Sequence, residues 1–146
     1  MVYLIFAALL IAAEQLIKTR IRKMNGKKEF LHGFFQINPI KNKGILFGLL
    51  KNNSIFPLFI QTGALVLLTV FAVPALFSGN TRPLIKLGVA LMVSGAGENV
   101  LDRLIYGGVL DYLQFPKLKW IGKIVFDLAD FFLLLGSLIL VIVTVL

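Results

Sequence analysis

IFPLFIQTGALVLLTVFAVPALF, running from Ile55 to Phe77, carries no Asp, Glu, Lys or Arg along about 23 positions. Roughly 20 such residues cross the hydrocarbon layer of a bilayer, so this stretch reads as a spanning helix. Working outward, Ser78-Gly79-Asn80 makes a turn and Arg82-Pro83 opens a second apolar segment, about Leu84 to Ile105. Its first half is apolar, and its second half carries Glu98, Asn99, Asp102 and Arg103 before Gly107-Gly108 ends it. Upstream, Val2 to Ile17 is apolar but for Glu14 and Gln15. It lacks a basic n-region and a small-residue cleavage site, so it is read as a span rather than a leader. Downstream, Val125 to Leu146 opens with Asp127 and Asp130 and then stays apolar.

The chain has 146 residues, of which 58% are hydrophobic, and 146 residues leave room for about four spans and no separate globular domain. A mean hydropathy of +0.91 agrees with lipid as the main solvent. The expected fold is an all-α membrane protein, one four-helix domain over 1–146 with spans at about 2–17, 55–77, 84–105 and 125–146. A small extramembrane β element is expected in the first loop, where Glu29 to Leu50 mix aromatics with Gly33 and Pro39. The absence of cysteine excludes disulfides, thiolate nucleophiles and thiolate metal sites. His32 is the single histidine, which excludes a two-histidine zinc site. A net charge of +8 points to basic loops against anionic headgroups rather than to nucleic acid.

The seven acids are Glu14, Glu29, Glu98, Asp102, Asp111, Asp127 and Asp130, and only Glu29 lies in a plainly polar stretch. Four spans put both termini on one side of the bilayer. The end of the first helix, the end of the third and the start of the fourth then share the opposite side, with Asp111 in the loop between the last two. Chain topology alone therefore gathers the other six acids at one face. An ionisable group at membrane depth costs about 2.5–3.5 kcal/mol on insertion scales, so it faces a partner or a wet cavity. Two close carboxylates cannot both ionise cheaply; one keeps a proton as general acid while the other activates water. The alternative is structural, with Arg103 pairing an acid and the cluster tying helices together.

The run Gly95-Ala96-Gly97-Glu98-Asn99-Val100-Leu101-Asp102-Arg103, continuing to Gly108-Val109-Leu110-Asp111-Tyr112, resembles a motif of signal peptidase II, the bacterial lipoprotein signal peptidase family. Phe126-Asp127-Leu128-Ala129-Asp130 is similar to the family's F-N-x-A-D, and Asn42 to Gly48 to its N-x-G-A-A-F-G. Glu14-Gln15-Leu16-Ile17-Lys18 is similar to D-Q-x-x-K. The resemblance implies a multi-pass protein of the bacterial inner (plasma) membrane that removes signal peptides before a diacylglyceryl cysteine. It implies an Asp111/Asp130 dyad using water, with Asn42, Asn99, Arg103, Glu14 and Asp127 binding substrate or supporting the dyad. Asp102 is structural on this reading, and no metal or other cofactor is required. The implied partners are a lipid-modified prolipoprotein and membrane lipid, with no nucleic acid, and a monomer is expected.

Three acids depart from the motifs: Glu14 for Asp, Glu98 for a glycine and Asp127 for an asparagine. An ionised Asp127 would make the dyad hold its shared proton to higher pH and shift the pH dependence of activity upward. The departures also admit a catalytically altered or inactive paralogue that binds lipoprotein or lipid. Orientation carries a conflict, since thirteen Lys and Arg lie toward the carboxylate face and only Arg82 and Lys86 toward the other. The positive-inside rule puts that face in the cytoplasm, whereas the family resemblance puts it outside. Rival chemistries fit less well. Ser94-Gly95 with His32 lacks a G-x-S-G sequence, a metal-dependent lipid phosphotransferase would want a D-x-x-D-G pattern, and a proton-coupled carrier would want inverted repeats. Trp120 reads as an interface anchor.

Overall fold

The computed structural model describes residues 1–44 and 55–145. Residues 45–48 of the motif that begins at Asn42, together with Lys51 and Leu146, lie outside them. Among the described residues four helices are long and apolar enough to cross a membrane: α1 (Val2–Ile21), α2 (Ile55–Phe77), α3 (Pro83–Tyr106) and α4 (Leu128–Val145). Their outward faces present large apolar side chains such as Leu9, Phe71 and Leu138, the pattern of helices solvated by lipid. Pro83 starts α3, where its missing N–H costs nothing. Gly107 ends it in a left-handed conformation, φ 67°, with its N–H on the Arg103 carbonyl.

Helix α1 continues to Ile21, beyond the apolar run that ends at Ile17. Ala7, Glu14, Lys18 and Ile21 are its buried residues and recur at helical spacing on one face. Lys18 therefore belongs to the packed face of the helix and not to the basic loop after it. Helix α4 begins at Leu128, later than Val125, because Val125 and Phe126 are taken up by a strand.

Helix α3 packs against all three other helices, most extensively α4. The two backbones approach closely through small residues. A Cβ on Gly95 would lie 2.5 Å from the Ala129 carbonyl oxygen, and one on Gly136 would lie 2.7 Å from that of Gly88. Small residues let membrane helices gain dispersion contacts where no hydrophobic drive exists between them. Gly95→Val is expected to force the helices apart at a cost of about 1–3 kcal/mol, read as a lower unfolding temperature in detergent. Because Ala129 immediately precedes Asp130, the placement of the Asp130 carboxyl should be disturbed with it. An unchanged unfolding temperature would contradict this packing.

A four-stranded antiparallel sheet, β1 (Lys28–Phe30), β2 (Phe35–Asn42), β3 (Val109–Gln114) and β4 (Val125–Phe126), lies in that order at one end of the helices. The first loop supplies β1 and β2, as its composition suggests. The third connection supplies β3 and β4, where the residue pattern alone indicates a loop; six residues after a Gly-Gly give too short a run to read. Between Ile37↔Leu113 and Ile40↔Asp111 the register shifts, so β2 carries one more residue than β3. Pro39, which has no N–H to give to a ladder, sits in that irregularity. Gln114 steadies it. Its Oε1 accepts from Gln36 and Asn38 at 2.8 and 2.7 Å, and its Nε2 donates to the Gly122 carbonyl at 2.7 Å. The shift sets Ile40 opposite Asp111 and Asn42 opposite Val109, the first residue of β3.

Candidate active site

Lys18 is the hub from which the polar cluster is built. Its side chain is fully buried, and its Nζ lies 2.6 Å from Glu98, 2.7 Å from Asp127, 2.9 Å from Asp102 and 3.8 Å from Glu14. An ammonium has three protons to offer, which suits the three shorter contacts. All three acids that depart from the family motif, Glu14, Glu98 and Asp127, thus meet at this one cation. Their carboxylates lie close enough to cage a cation, and the cation among them is the Lys18 ammonium.

Asp102 is fully buried and ties three elements together. It accepts from Lys18 and Gln15 of α1, from Arg22 just past the end of that helix, and from the Leu110 N–H at the start of β3. The structural role expected of it follows from those bonds. Gln15 also donates to Glu98 at 2.9 Å, and the Arg22 guanidinium lies over the Tyr106 ring, 3.5 Å from its centroid. Glu14 accepts the Tyr112 hydroxyl at 2.9 Å and the Leu128 N–H at 3.2 Å, linking α1 to β3 and to the first residue of α4. Burial, followed by the Glu14 charge, pushes the Tyr112 phenol well above its usual range.

Asp127 and Asp130 form a reciprocal cap on α4. The Asp130 N–H donates to Asp127 Oδ1 at 2.9 Å, and the Asp127 N–H donates back to Asp130 Oδ2 at 3.2 Å. This is the capping-box arrangement with aspartates in both places, and it fixes where the Asp130 carboxyl points. The other Asp127 oxygen takes the Lys18 ammonium, so a chain of contacts runs from Lys18 through Asp127 to Asp130.

Asp111 sits on β3, buried to 7% exposure, and its Oδ2 accepts from the Asn42 amide at 3.0 Å. Its pKa is pushed up to about 8, first by burial, then by the Asp127 charge, and further by Asp130. Asn42 pulls the other way by hydrogen bonding to the carboxylate. Asp130, partly exposed, is close enough for its charge to be felt at Asp111. Among the described residues Arg103 forms no ion pair with an acid. Its guanidinium donates to the Lys43 and Gly44 carbonyls and to the Gln61 side chain of α2, so it anchors the chain that holds Asn42 in place. Asn99 is buried on α3, four residues before Arg103.

The structure therefore brings Glu14, Asn42, Asp111, Asp127 and Asp130 to one end of the helices, with Arg103 holding the 43–44 backbone there. Sequence reading left Lys18, Gln15, Gln61 and Tyr112 out of the site. The i,i+4 spacing of Glu14 and Lys18 was the available signal for the first. Nothing in the residue order connects Gln61 to Arg103, which is a contact made only by folding.

The family described as signal peptidase (SPase) II matches residues 6–146. A lipoprotein signal peptidase of Moorella thermoacetica is 35% identical over 143 residues, covering 96% of this chain and 90% of the relative. One from Clostridioides difficile is 31% identical over 145 residues, covering 96% and 92%. Two solved structures share the fold, each described as a bacterial membrane enzyme structure obtained by the in meso method. They superpose with TM-scores of 0.83 and 0.80 at 21% and 22% identity, covering 99% and 98% of this chain and 87% and 92% of theirs.

Proposed function

The chain belongs to the signal peptidase II family, and on that footing we propose that it is an aspartyl endopeptidase cutting lipid-modified prolipoproteins before their diacylglyceryl cysteine. The observation that carries this reading is a buried Asp111 that keeps a proton to about pH 8 while the Asp130 carboxyl, held by its cap, lies within electrostatic reach. Water held between the two carboxyls is the nucleophile. Asp130 accepts a proton from it as its oxygen attacks the scissile carbonyl carbon, and Asp111 gives its own proton to the carbonyl oxygen. Collapse of the tetrahedral species breaks the C–N bond. The proton gained by Asp130 leaves with the new amine, and the hydroxyl proton returns to Asp111. Asn42 keeps the Asp111 carboxyl in place throughout, and Lys18 balances the Asp127 charge beside it. No other co-reactant is needed.

The enzyme's home is proposed to be the bacterial cytoplasmic membrane, with the substrate's acyl chains remaining in the bilayer. The alternative of an altered, non-cleaving paralogue loses weight because each departing acid meets Lys18 directly, so the added charges have a partner and are not left facing the dyad alone.

The pH dependence of cleavage tests the reading. The active form carries one shared proton, so the rate should fall as pH rises through about 8, where Asp111 loses it. Asp127→Asn removes a negative charge that raises the Asp111 pKa while keeping a good cap residue. The alkaline limb is then expected to move to lower pH. A limb that stays in place, or moves up, would contradict the assignment of Asp111 as the acid.

A further inference from the structure

We propose that the tip of the sheet is a docking surface for anionic lipid headgroups of the bilayer that holds the helices. The tip is made of two segments, the Leu31–Gly33 turn between β1 and β2 and residues 115–124 between β3 and β4. Phe34 and Phe35 pack on Phe115, with ring centroids 6.3 and 5.7 Å apart, and a methyl on Gly33 would lie 3.9 Å from the Lys117 side chain. The two segments are therefore one surface.

That surface is apolar and basic at once. Trp120 is 90% exposed and Leu31 is 73% exposed, values that would waste apolar area in water. Neither is thrown outward by a loose loop. Leu31 is set by a turn in which residues 31, 32 and 33 all have left-handed backbone angles, φ 52°, 56° and 80°. Trp120 rides on a closed connection, in which the Gly122 N–H donates to the Leu118 carbonyl at 2.7 Å and the Gly122 carbonyl accepts from Gln114. Lys117, Lys119 and Lys123 of the second segment and Lys27 and Lys28 at the start of β1 are exposed around them, with Glu29 of β1 as the neighbouring acid. An indole at headgroup level with lysines reaching past it is the chemistry of an anionic membrane surface. A protein partner would more often meet a patch depleted of lysine. Lys123 precedes the first residue of α4 by five positions, so the chain can carry it no more than about 17 Å from the helix that enters the bilayer.

Trp120 is the single tryptophan of the chain, so its fluorescence reports the tip directly. The wild-type protein is reconstituted into phosphatidylcholine bilayers with and without phosphatidylglycerol, and quenching by brominated lipids is compared with quenching by iodide. Contact with brominated lipid and protection from iodide should both rise severalfold with phosphatidylglycerol. The triple variant Lys117→Gln, Lys119→Gln, Lys123→Gln, or high salt with wild type, should return both to the neutral-bilayer values. Trp120 open to iodide and untouched by brominated lipid in both bilayers would overturn the proposal. So would lipid contact that is the same with and without the anionic lipid, since the lysines would then have no part in it. The wild-type comparison needs no variant to fold.

Discussion

Asp111→Asn and Asp130→Asn should each lower kcat by a factor of roughly 10² to 10⁴, the usual range for removing a general acid or base. Asparagine matches aspartate in size, so the Asn42 amide keeps an acceptor at position 111, and at 130 the cap on α4 keeps an oxygen for the Asp127 N–H. Substrate binding should therefore change far less than turnover, and KM should move little beside kcat. The double variant should be no worse than the poorer single one, because two carboxyls that share a proton act as a unit. Thermal unfolding run alongside would show whether each protein is still folded. A folded single variant that retained more than about a tenth of wild-type kcat would remove that aspartate from the dyad.

Lys18→Met is expected to be the most destabilising single change in the molecule. Methionine is unbranched and one atom shorter, so it fills most of the space, but Glu98, Asp102 and Asp127 lose the ammonium that lies within 2.9 Å of each. Breaking a buried ion pair by removing one partner costs about 3–5 kcal/mol, because the remaining charge has neither water nor counter-ion. Arg22 still serves Asp102, so the burden falls on Glu98 and Asp127. Adding Glu98→Gln and Asp127→Asn to Lys18→Met should recover much of the loss, since amides need no counter-charge. Unfolding temperature in detergent reads both steps. If the single variant melts with wild type, or the added amides make it worse, the cluster is not held together by Lys18.

The membrane fold was legible because long uncharged runs such as Ile55–Phe77 allow one reading in a bilayer. The gathering of acids at one end followed from counting spans. The end of α1 was not legible by hydropathy, since Lys18 looks like the first residue of a basic loop until four carboxylates are seen around it. Strands β3 and β4 were hidden for a different reason. Short strands are defined by what pairs with them, and Asp111 becomes a strand residue only because β2 lies alongside. Residue identity pointed to Asp127 as an added charge near the dyad. Its partner on α1, 109 positions away, could be found only in the folded chain.

The central claim is tested most directly by presenting the purified wild-type protein, in detergent, with one prolipoprotein in two forms. One carries a diacylglyceryl group on the cysteine and the other does not, and products are located by mass spectrometry. The modified form should be cut at the bond before the cysteine and the unmodified form should remain intact. Failure of a well-folded protein to cut the modified form, or cleavage of both forms alike, would contradict it.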